Sequence, residues 1–120
     1  MTDKFVQRGN VVNYVAGGDV TSGVPVVMGH TLGVPITSGV SGNTIAVAIE
    51  GVFELPKVAN AVFAVGEKLI WDTSAGAFDD SAATPATGDL TGAAMAMRAG
   101  LNGETTCLVK LTPGNVLKTP

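Results

Sequence analysis

Ile45-Ala46-Val47-Ala48-Ile49-Glu50-Gly51-Val52-Phe53-Glu54-Leu55 is the stretch that decides the fold class. Ile45, Val47, Ile49, Phe53 and Leu55 fall at alternate positions, with Ala46, Ala48, Glu50, Val52 and Glu54 between them. Side chains alternate across a strand with period 2, whereas a helix needs apolar residues at every third or fourth position. One row therefore faces a core and the other faces away. The spacing predicts a single long strand over 44–55.

The same alternation extends in both directions. It predicts strands over 10–15, 24–28, 31–37, 67–72, 92–99 and 104–112. Turn residues separate them: Ala16-Gly17-Gly18-Asp19, Ser38-Gly39, Ser41-Gly42-Asn43 and Ser74-Ala75-Gly76. Asn102-Gly103 lies between two alternating runs, a strong hairpin signal. Only Val58–Ala64 suits a helical turn, and Asp79–Asp89 reads as a loop. Short strands with glycine-rich turns make an all-β domain, a small Gly-rich β-barrel or sandwich.

The sequence also suggests an internal duplication. One half runs from Gly23 through an apolar strand, Leu32-Gly33-Val34 and a turn at Gly42 into a long alternating strand. The other runs from Gly66 through Leu69–Trp71, Leu90-Thr91-Gly92-Ala93 and a turn at Gly103 into another. The second carries an insertion over Thr73–Gly88. The expectation is two related three-stranded units closing one barrel.

With 120 residues, the chain has the length of one domain. Met1–Gly9 reads as an extended N-terminal arm with Gly9 as its hinge, and 10–120 as a single β domain. The start lacks the apolar stretch of a secretory signal, and no run reaches the roughly 18 apolar residues of a membrane span. No membrane partner is expected. Net charge is −3, and Lys57, Lys68, Arg98 and Lys110 stand apart, so no nucleic-acid footprint is expected.

Charged residues make up 14%, against about 25% in an average soluble domain. Two readings fit: a surface covered by other subunits, or a small β protein that uses Thr, Ser and Gly outside. The rows Ala46-Ala48 and Ala94-Ala96 are unusual as solvent faces. They suit either a close-approaching partner backbone or cover by the chain's own loops. Trp71 is either a core aromatic or an interface anchor. On the arm, Phe5 either enters a neighbour's pocket, with Lys4 and Arg8 pairing to its rim, or folds back onto its own barrel.

Candidates for chemistry are few. His30 is the single near-neutral base, and Cys107 the single cysteine. One His and one Cys do not make a four-ligand zinc site. Cys107 falls in the apolar row of a strand, where cysteine packs rather than reacts. Asp79-Asp80 reads as two solvated loop charges. No Gly-x-Ser-x-Gly elbow or phosphate-binding glycine loop is present. The expectation is no catalytic residue, no metal and no cofactor.

Glu50-Gly51-Val52-Phe53-Glu54-Leu55-Pro56-Lys57 is the distinctive string. Together with Phe5-Val6-Gln7-x-Gly9, Gly23-x-Pro25-Val26 and Gly66-x-Lys68-Leu69-x-Trp71-Asp72, it resembles the small capsid cement, or head decoration, proteins of tailed bacteriophages and prophages. The likeness runs from about Phe5 to Leu111. The resemblance implies a non-enzymatic structural virion protein, commonly a homotrimer. It would bind the outside of a phage capsid and stabilise contacts between major capsid protein subunits. It would be located on the virion surface and made in the host cytoplasm. The alternative is a small-molecule or carbohydrate-binding β module within a larger assembly, which needs a cleft lined with aromatics.

Overall fold

A computed structural model of the chain describes residues 7–120. The strands form two sheets with antiparallel pairing throughout. The first comprises β1 (Val11–Val15), β2 (Val26–Met28), β3 (Thr31–Pro35) and β4 (Thr44–Ala48), in the order β1-β4-β3-β2. The second comprises β5 (Gly51–Pro56), β6 (Lys68–Asp72), β7 (Ala77–Asp79), β8 (Leu90–Ala96) and β9 (Thr106–Leu111), in the order β5-β9-β8-β6-β7. A short β10 (Leu117–Lys118) pairs with the start of β8. No helix occurs among the described residues. The sheets pack as in a sandwich, and no barrel closes. Among the described residues one isolated parallel bridge, from Lys57 just beyond β5 to Phe78 of β7, brings the two edges of the second sheet together without forming a ladder between them.

The run that decided the fold class is two strands, not one. β4 belongs to the first sheet and β5 to the second. Between them the chain turns at Ile49-Glu50-Gly51, where Gly51 adopts φ +124°, a region closed to ordinary side chains. Ile45 and Val47 consequently fill one core, while Phe53 and Leu55 serve another. Alternation is blind to such a break because period 2 resumes in phase on the far side.

Two further expectations are corrected. Val58–Ala64 contains no helix; Ala61 N–H closes a turn onto Val58 O at 3.0 Å, and Phe63 then bridges Gly100. Inside the expected insertion lies β7, whose Phe78 meets Trp71 edge to face at 4.9 Å. Three residues with one large apolar side chain are too few to show a period.

The duplication has a structural counterpart, with four strands in each unit rather than three. β1-β4-β3-β2 and β5-β9-β8-β6 are the same Greek-key order, the first strand lying beside the last. β7 is the insertion. The loops match as well. Val20 and Gly39 exchange N–H···O bonds of 2.8 and 3.0 Å; Phe63 and Gly100 exchange bonds of 3.1 and 2.9 Å. Gly42 N–H donates to Ala16 O, and Gly103 N–H to Ala59 O. Asn43 Oδ1 accepts from Val40 N–H, and Glu104 Oε1 from Leu101 N–H. Gly42 and Gly103 take φ +91° and +95°, and Gly23 and Gly66 take +83° and +88°.

The larger core lies on the second sheet, around Leu55, Leu69, Trp71, Phe78, Leu90 and Val109. Leu32 and Val34 of β3 reach into it, which docks the first sheet. A smaller core of Ala16, Ile45 and Val47 sits on the other side of that sheet.

Candidate interaction surface

The structure separates the proposed interface residues. Ala94 and Ala96 are 0% exposed and Trp71 is 4% exposed, all within the larger core. Ala48 is buried as well. These side chains have no surface to offer in the single chain, which corrects their reading as an interface row. The reason is the sandwich: β8 is a central strand, flanked by β6 and β9, with its alanine row turned inward. Ala46 is different. It lies half-buried on β4 between Asn13 of β1 and Ile36, whose N–H donates to Ala46 O at 2.8 Å. Residues opposite one another share a sheet face. Asn13, Val15, Ala46 and Ile36 thus make one outward patch with little charge.

Arg8 is exposed ahead of β1, while Lys4 and Phe5 lie outside the described residues. His30 is exposed at the turn between β2 and β3, and Cys107 is buried in the larger core. Burial pushes the Cys107 thiol up to about 11, a state with almost no thiolate at neutral pH. Its Sγ lies 3.5 Å from Leu55 O. Asp79 and Asp80 cap the turn that follows β7 by accepting Asp80 N–H and Ala82 N–H.

The distinctive string has a structural explanation at its last residue. Lys57 is 4% exposed, and its ammonium donates to Val58 O (2.8 Å), Ala59 O (3.2 Å) and Glu104 O (3.1 Å). An ammonium has three donors, and each finds a carbonyl. Glu54-Leu55-Pro56-Lys57 therefore ends β5 by locking it to the turn before β9. Sequence reasoning treated Lys57 as an isolated surface charge; the apolar residues either side of it were the available signal. Buried Asp89 plays a similar part, accepting Thr73 N–H and Ala86 N–H to pin the loops either side of β7.

Comparison with known proteins decides what these features belong to. The family model described as phage cement protein matches residues 6–111, nearly the whole chain. The chain belongs to the phage cement protein family. No curated protein matches it. Membership gives a structural protein of the phage capsid, and the all-β sandwich is the scaffold by which this cement protein presents its surfaces. Among the described residues no helix is long and apolar enough to cross a membrane.

Proposed function

We propose that this cement protein binds the outside of a phage head as a homotrimer and clamps neighbouring major capsid protein subunits together, after synthesis in the host cytoplasm. The observation that carries the reading is the family match over residues 6–111. Low charge and the outward patch of Asn13, Val15, Ala46 and Ile36 support a protein partner. The small-molecule alternative has little support, because Phe63, Trp71 and Phe78 are spent in the core. Binding at three points raises effective concentration, so each contact can be weak. Binding the assembled shell and not the dissociated subunit stabilises the shell by mass action. Phe5, with Lys4 and Arg8, is proposed as the anchor on the arm.

The test is to add purified protein to empty, expanded heads that lack it. Co-sedimentation should saturate, and electron microscopy should show three-fold density on the outer surface. Heads that bind none at high concentration would overturn the reading. A chain without residues 1–8 should keep its melting temperature but decorate heads more weakly. Equal decoration by the truncated chain would remove the arm from the proposal.

A further inference from the structure

Sheet edges are sites where another chain can add a strand, and proteins usually block them with Pro, charge, bulges or cover. β2 is preceded by Pro25, and β7 is three residues long and ends on Asp79. β5 carries Glu54 and Pro56. β1, Val11-Val12-Asn13-Tyr14-Val15, has neither charge nor proline, and among the described residues no strand lies on its far side.

The ladder phase shows what this edge presents. Ile49 N–H donates to Asn10 O and Ala16 N–H to Asn43 O, so the even-numbered residues of β1 bond inward to β4. Val11, Asn13 and Val15 therefore direct N–H and C=O outward. The duplicated unit shows how such an edge is covered. By the loop correspondence that matches Ala16 with Ala59, Val15 matches Val58. In the second unit Val58 N–H donates to Phe78 O of β7 at 2.9 Å, and Lys57 bridges Phe78 in parallel. Val58 is half-buried there, whereas Val15 is 61% exposed. Among the described residues the first unit has no counterpart of β7.

We propose that the outer edge of β1 is a docking site for an extended segment of the capsid subunit, which takes the place that β7 occupies in the second unit. This rests on the cement reading above. The segment pairs by main-chain hydrogen bonds to Val11, Asn13 and Val15. Its alternate side chains lie beside Val11, Asn13 and Val15, on the sheet face that runs on to Ala46, so they are uncharged. Recognition through backbone groups needs neither a deep pocket nor strong charge, which suits a surface as weakly charged as this one.

Amide hydrogen exchange on the full chain, free and bound to empty heads, tests the idea. In the free chain Val12 and Tyr14 amides should be protected while Val11, Asn13 and Val15 exchange fast. On heads all five should be protected. Val15→Lys, at an exposed position, should keep the melting temperature and weaken head binding at least tenfold, and Asn13→Pro should do the same by deleting an outward N–H. Binding to heads with Val11, Asn13 and Val15 still exchanging fast would overturn the proposal and leave the cement reading standing. Protection of those amides in the free chain would also overturn it, because the edge would then be filled by a second copy or by the chain itself. A chain that binds no heads brings down both.

Discussion

Lys57 carries an ammonium into the protein, where desolvation is costly unless every donor is satisfied. Its three carbonyl acceptors come from both sides of the sheet end, Val58 and Ala59 from one segment and Glu104 from the other. Replacing it with methionine keeps the stem and deletes the donors. Lys57→Met is expected to cost about 1–3 kcal/mol in urea unfolding, the range for leaving a buried polar group without its partner. No change in midpoint would show that the carbonyls are equally content with water. Cys107 gives a second test at this scale. With its thiol pushed up to about 11 by burial, it should resist a thiol-specific disulfide reagent at pH 8 and react only as fast as the chain opens. Rapid stoichiometric labelling of the native protein would contradict its place in the core. Gly100 gives a third. A Cβ there would overlap the Phe63 ring, so Gly100→Ala must displace a buried aromatic and should destabilise by about 1–3 kcal/mol.

Elements were legible in the sequence where they were long enough to show a period and were half-buried. β5 reads cleanly, with Phe53 and Leu55 turned inward and Val52, Glu54 and Pro56 turned out. β8 does not, because its register against β6 slips at Gly92-Ala93, where Gly92 takes φ +80°, so the consecutive residues Ala93 and Ala94 are both buried. A slip of this kind breaks the period, and alanine is small enough to suit either a partner's backbone or cover by the chain itself, so the sequence left both readings open. β7 and β10 were invisible, being too short for any pattern and held by contacts distant in sequence. One such contact is Glu67, whose Oε2 accepts Ser81 N–H (3.0 Å) and Ser81 Oγ–H (2.8 Å), while Oε1 accepts Ala64 N–H. The Ser81 backbone bond, then its hydroxyl, holds the Glu67 carboxyl below its ordinary value of 4.5. A depressed folded-state pKa stabilises the fold above 4.5, and that contribution is lost as pH falls through the lower folded value. The group is open to solvent, so the effect is small. Melting temperatures of the native chain and Glu67→Gln should differ slightly at neutral pH and converge in acid. A gap that widens in acid would reverse the assignment.

At the scale of the whole molecule, the duplication raises the question of whether two Greek-key units melt as two bodies or one. The described contacts favour one. The first sheet's own core is small, made of Ala16, Ile45 and Val47 with half-buried neighbours. A four-stranded sheet needs a well-covered apolar face to stand alone. Leu32 and Val34 instead reach across from β3 into the cluster around Trp71 and Phe78. We therefore propose that residues 10–120 unfold as a single cooperative domain. Leu32 is the residue to cut, because it is 2% exposed and belongs to the first unit while packing in the core of the second. Leu32→Ala should cost about 2–5 kcal/mol, the usual range for truncating a buried leucine. Trp71 is the single tryptophan, so its fluorescence reports the second sheet, while far-ultraviolet circular dichroism reports both. Cooperative unfolding requires the two probes to trace one transition in the native chain and to shift together in the variant. If fluorescence kept its midpoint while circular dichroism acquired an earlier step, the first unit would be melting on its own. The cement protein would then be two linked bodies, and the shared core at Leu32 would be a contact between domains rather than the centre of one.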